Sequence, residues 1–307
     1  MIALRSAALA IAAAAVIGAP AQQPFRSGVD LVRVDALVTD DRRPIAGLTP
    51  ADFELRDNGV LQSLDSVALE SLPLSVVFVL DTSGSVAGSK MQHLASAVDV
   101  VLNGLAEQDR AALVTFSHRI WMRTSLSADR QRLRGIITNA EAIGGTALHD
   151  AVYAGLAIGE GHDARPLVLV FSDGLDNASW LSAQTVERAA QRADAVVYGV
   201  AVAASTTVRV ANPGASIGRR TTVVVPRYTP GQTDFLEDVA SATGGRVIKS
   251  DTSGDVEKAF GDILREFRTR YLITYSPRGV DTPGWHTIDV KLKGRRGDVQ
   301  ARRGYQK

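Results

Sequence analysis

In the run VVFVLDTSGSV, Val76–Val86, five apolar residues lead straight into a carboxylate, Asp81, and hydroxyls follow at alternate positions, Ser83 and Ser85. Two later stretches repeat the theme. AIGGTALHDAV places Thr146 between a Gly-Gly pair and a helical pattern, and PLVLVFSDGLDN ends an apolar run on Ser172 and Asp173. Asp81, Ser83, Ser85, Thr146 and Asp173 together offer two carboxylates and three hydroxyls. Such hard oxygen donors suit Mg²⁺, Mn²⁺ or Ca²⁺ and not zinc or copper. Mg²⁺ prefers near-octahedral geometry and keeps some water, so five side chains, some acting through water, can hold it and leave a position open. Two carboxylates leave little surplus negative charge, so a bound cation stays electrophilic toward a carboxylate from a partner. The chain has no cysteine, which excludes thiolate zinc sites, cysteine nucleophiles and disulfides.

Each piece has a structural reading of its own. DTSGS suits a turn with helix-capping serines, Thr146 suits a helix cap, and Asp173 can head an ordinary loop. Their joint placement favours the metal reading, because each falls at a strand or helix end where open α/β sheets bind ligands. In order, DTSGS, the isolated GGT before a helix, and SDG after an apolar strand resemble the metal-ion-dependent adhesion site of von Willebrand factor type A domains. The resemblance covers roughly residues 73–267. It implies that Ser83, Ser85 and Thr146 are hydroxyl ligands and that Asp81 and Asp173 are the carboxylates, often acting through water. The flanks, with GLTPADFELRDNGV early and YLITYSP late, are more loosely similar to a bacterial family of exported von Willebrand factor A-related proteins.

The elements that must position these residues are legible in the patterning. From Leu74, near-continuous apolar strands alternate with amphipathic helices: LSVVFVL, RAALVTFS, PLVLVFSD and AVVYGVAV against SKMQHLASAVDVVLNGLAEQ, ADRQRLRGIITNAEAI, ALHDAVYAGLAIG, SAQTVERAAQRA, TDFLEDVASATG and GDVEKAFGDILREFRTR. This predicts an α/β fold, a doubly wound, mostly parallel sheet covered by helices on both faces. Residues 22–72 and 268–307 alternate apolar and polar residues instead, with Asn58-Gly59 marking a hairpin. They are expected to pair in one small antiparallel β domain into which residues 73–267 are inserted. STTVRVANPGASIGRRTTVVVPRYTPGQ, long for a loop, reads as a hairpin insertion.

Residues 1–21 read as a secretory signal: Arg5, an apolar run from Ala7 to Gly18, and the small-x-small pattern Ala19-Pro20-Ala21. That run is too short to span a bilayer, and no later one is long enough, so an exported protein, periplasmic or extracellular, is expected without stable membrane insertion. A formal net charge of +1 over 307 residues argues against nucleic acid as a partner.

Other motifs read as structure. GASIG, Gly214–Gly218, fits a nucleophile elbow but lacks the following helix, so a hairpin tip is expected. Arg296-Gly297-Asp298 is good turn chemistry. The histidines are scattered, and His149 reads as a helix-surface residue near Thr146. The basic KLKGRRGDVQARRGYQK reads as solvated faces of edge strands. Trp180 is either a partner anchor or a residue packed under the next helix. The function expected is an exported, divalent-cation-dependent protein-binding module, with a partner Asp or Glu completing Mg²⁺ coordination. The alternatives are a metal-independent envelope scaffold and a Mg²⁺-dependent phosphoester hydrolase. The hydrolase reading is weakened because Ser83 stands where a second carboxylate is wanted and no lysine lies within the three loops.

Overall fold

The computed structural model describes residues 31–41, 43–69, 72–160, 164–211, 220–227, 231–250 and 253–307. The signal-like segment 1–21 and GASIG lie outside the described residues. The chain begins with β1 (Val32–Asp40), β2 (Arg43–Pro44), β3 (Phe53–Asp57), β4 (Val60–Leu61) and β5 (Leu64–Ala68). β3 and β4 form a tight hairpin whose central residues, Asn58 and Gly59, both take positive φ, 47° and 82°. That is the geometry an Asn-Gly pair favours.

The α/β body follows: β6 (Leu74–Asp81), α1 (Ser89–Gly104), β7 (Arg110–Phe116), β8 (Ile120–Ser127), α2 (Arg130–Thr138), α3 (Leu148–Gly159), β9 (Arg165–Ser172), α4 (Ala183–Arg192), β10 (Val196–Val202), β11 (Ala204–Ala211), β12 (Arg220–Arg227), α5 (Asp234–Ala242), β13 (Val247–Ser250) and α6 (Ser253–Arg268). Its sheet runs β13-β10-β9-β6-β7-β8, parallel throughout except for β8. β6 is buried along its whole length because both faces are covered. Val76, Phe78 and Leu80 belong to one core layer with residues of α1, α2 and α6, while Val77 and Val79 belong to the other, with residues of α3, α4 and α5. β11 and β12 form a separate two-stranded hairpin, as the Val/Thr-rich arms predict. The helix expected over 128–143 stops at Thr138. Residues 140–143 are irregular instead, and the Ile143 amide donates to the Thr82 carbonyl at 2.8 Å.

The chain closes with β14 (Tyr271–Tyr275), β15 (Trp285–Leu292), β16 (Asp298–Gln300) and β17 (Gly304–Gln306). Strands from the two flanks share both sheets of a small sandwich. β1 pairs with β14 and β16, and β3 pairs with β15. Its core includes Val34, Phe53, Leu55, Ile273 and Tyr275. Among the described residues one buried carboxylate lies there, Asp57, and it is fully partnered. Tyr275 and Tyr305 donate to it at 2.9 and 2.8 Å, and the His286 ring lies 2.8 Å away. The basic C-terminal run is not wholly a solvated face. Arg302 is buried, and its guanidinium bonds Asp194 and the Gln191 carbonyl beside α4.

Candidate metal centre

The chain leaves β6 toward β7 on one side and later returns to β9 on the other. This reversal opens a crevice at the carboxyl ends of β6 and β9, where such sheets bind ligands. Asp81 ends β6 and Asp173 follows β9, and both are 0% exposed. The Ser83 amide donates to Asp81 Oδ1 at 2.8 Å, and the Ser172 hydroxyl donates to Oδ2 at 2.7 Å. The Ser83 and Ser85 hydroxyls lie 3.0 Å apart, the first buried and the second exposed.

The Thr146 loop is laced onto this turn. Gly84 donates its amide to the Gly144 carbonyl at 3.0 Å, and Ala147 donates to the Ser117 carbonyl at 2.7 Å. The SDGLDN loop closes from the other side. Asn177 accepts from the Thr146 amide at 2.8 Å, and the Asn177 and Ala178 amides each donate to the Thr146 carbonyl at 3.0 Å. The Gly-Gly pair is required here. Gly144 has φ +88°, and a Cβ on Gly145 would come 2.7 Å from Asn177 Oδ1.

Thr146 does not cap the helix it precedes. Asp176 does so, accepting from the Leu148 amide at 2.8 Å. The Thr146 hydroxyl makes no hydrogen bond among the described residues. Asp173 Oδ1 accepts from the Leu175 amide at 3.1 Å, but Oδ2 is buried with no partner among the described residues. A buried carboxylate oxygen without a donor is costly unless something else satisfies it. These donors fit a hard divalent cation: an orphaned anionic oxygen, an unengaged hydroxyl and two neighbouring serine hydroxyls. Burial pushes the Asp81 carboxyl up to about 6, with Asp173 adding repulsion, while the bonds from Ser83 and Ser172 oppose the shift.

Several residues of the centre carry no local sequence signal. Lys90, on the first turn of α1, donates to the Ser85 carbonyl at 3.1 Å and the Ala203 carbonyl at 3.0 Å. Burial lowers its pKa, and Asp173 and Asp81 oppose that shift. The amide of Gln232 donates to the Asp173 carbonyl. The two stems of the β11–β12 hairpin are thereby tied to the two carboxylate loops, and β11 lies against the turn that carries Ser85. His149 is not a bare surface residue. Its ring packs 4.2 Å from Phe235 and reaches the Leu181 carbonyl at 3.1 Å. Trp180 is 95% exposed and does not pack under α4.

Residues 76–175 match the family model of the von Willebrand factor type A domain. Among characterised proteins, the pig inter-alpha-trypsin inhibitor heavy chain H2 is 31% identical over 96 residues, 30% of this chain and 10% of that one. The human heavy chain H4 is 33% identical over 89 residues, 27% and 10% of the respective chains. The chain thus spans about a tenth of the length of these relatives. Among solved structures, a von Willebrand factor type A protein from Catenulispora acidiphila superimposes with a TM-score of 0.52 at 15% identity, over 84% of this chain and 75% of that one. Proximal thread matrix protein 1 of the mussel byssus, solved with a zinc-occupied adhesion-site motif, gives 0.51 at 14% identity over 68% and 49%. The α/β body therefore has the von Willebrand factor type A fold. No helix among the described residues is long and apolar enough to cross a membrane.

Proposed function

We propose that the protein is an exported binding module whose metal centre captures a protein partner through a divalent cation. Asp81, Ser83, Ser85, Thr146 and Asp173 hold the ion, Mg²⁺ before Mn²⁺ or Ca²⁺, and an Asp or Glu carboxylate of the partner completes its shell. The observation that carries the reading is the buried, unpartnered Asp173 Oδ2 beside an unengaged Thr146 hydroxyl. The match of residues 76–175 to the von Willebrand factor type A model, together with the partial similarity to inter-alpha-trypsin inhibitor heavy chains, supports an interaction role. Nucleophilic hydrolysis is disfavoured, because both oxygens of the buried Asp81 already accept hydrogen bonds from Ser83 and Ser172. Export rests on the signal-like residues 1–21, and residence is periplasmic or extracellular.

The test is a pull-down with the chain from Gln22 onward as bait and envelope and secreted proteins of the source cell as prey. Capture in Mg²⁺ that is lost both in chelator and in Asp173→Ala is the expected result. Capture that survives both would move the function to the sandwich, as a metal-independent scaffold.

A further inference from the structure

We propose that the groove between the α/β body and the sandwich is a second binding site, for a small anion bearing two or more phosphate or carboxylate groups. It lies at the end of the sheet opposite the metal centre. β9 runs from Arg165 in the groove wall to Ser172 beside Asp173, a rise of roughly 23 Å at about 3.3 Å per residue. The groove holds about 830 Å³, within the range of small-ligand sites.

Three elements each line it with one periodic set of positions. The α3 side gives Tyr153, Leu156, Ala157 and Glu160, spaced as one helical face. α4 gives Thr185, Arg188, Ala189 and Arg192 at the same spacing, and β1 gives Arg33 and Asp35 at alternate positions.

The charges of the described lining are unbalanced. Among the described residues, five arginines line the groove against three carboxylates. Two of those carboxylates are already engaged: Asp35 pairs with Arg165, and Asp194 pairs with Arg302 at 3.0 Å. Arg33, Arg188 and Arg192 have no ion-pair partner among the described residues, and Glu160 is the one carboxylate of the lining left over. Arg188 and Arg192 stand at i, i+4 on one helix, where like charges repel. Arg192 lies in the last turn of α4, where a cation offsets the helix dipole, but that does not account for Arg33 or Arg188. Arg165 is 3% exposed, and its Nε is buried with no acceptor among the described residues. Guanidinium forks match phosphate and carboxylate oxygens in pairs, and the half-exposed Tyr153 adds a hydroxyl.

The test is calorimetry on the chain from Gln22 onward, without divalent ions, using pyrophosphate in one arm and citrate in the other. Saturable binding of at least one, weakened by added NaCl, is expected. The arm that binds decides between phosphate and carboxylate ligands. The Arg188→Gln/Arg192→Gln double variant should weaken binding by about tenfold or more, and Arg33→Gln on β1 should weaken it too. Asp173→Ala, in the metal centre, should leave it unchanged. No saturable binding in either arm would overturn the proposal. So would unchanged affinity in the arginine variants, with their folding verified by thermal unfolding.

Discussion

In chelator, Asp81 is a buried carboxyl beside a second one, and its protonation should show in the stability curve. The unfolded group ionises near 3.8 and the folded one at about 6. Between those values the native state holds a proton that the unfolded state has lost, so stability falls as pH rises through this window and stays lowered above it. The cost at neutral pH is on the order of 3 kcal/mol. Asp81→Asn should therefore melt several degrees above wild type at pH 7 in chelator, with the gap closing toward pH 4 and Mg²⁺ no longer raising the melting temperature. A gap that is absent, or that widens on acidification, would contradict this placement of Asp81. The five ligand candidates were readable because each sits beside a strand or helix end with a short local signal. Lys90 and Gln232 were not, since their roles arise from contacts with Ser85, Ala203 and Asp173 that no periodicity encodes.

At the scale of elements, α3 sets the height of the Thr146 loop above the sheet. It approaches closely because Gly155 faces β6 and β9. A Cβ there would lie 2.6 Å from Val79 Cγ2 and 3.1 Å from Val168 Cγ1, both in a fully buried layer. Gly155→Val should destabilise the fold by about 1–3 kcal/mol through overpacking. It should also weaken Mg²⁺ binding more than a change of equal destabilisation on the opposite face, such as Leu133→Ala on α2. Chemical denaturation and metal titration on the two variants check this, and equal losses of metal affinity would count against it. The parallel order of strands followed from apolar runs that need cover on both faces. The early end of α2 did not, because ADRQRLRGIITNAEAI keeps a helical composition to Ile143 while the Ile143 amide is claimed by Thr82.

Across the whole molecule, Arg270 joins the two bodies where the chain passes from α6 to β14. It is 0% exposed and donates to the Tyr198 hydroxyl at 3.0 Å in the α/β body, and to the carbonyls of Asp35 and Gln300 at 2.9 and 3.3 Å in the sandwich. Arg270→Met should cost about 3–5 kcal/mol, because it strips partners from several buried polar groups at once. It should also let the two bodies melt in separate steps, and calorimetry showing one unshifted transition would refute the coupling. The alternation in both flanks announced strands. Their division into two sheets of one sandwich depends on pairings such as Val34 with Ile273 and Leu55 with Val290, more than two hundred residues apart in sequence. The buried guanidinium at the seam had no sequence signature.

The central claim, a divalent cation held between Asp81 and Asp173, is tested most directly by titrating Mg²⁺ into the metal-stripped chain from Gln22 onward by calorimetry, with Asp173→Ala alongside. The account predicts one saturable site in the wild type, abolished in the variant while its fold persists. No saturable Mg²⁺, Mn²⁺ or Ca²⁺ binding in a folded wild type, or undiminished binding by Asp173→Ala, would contradict it.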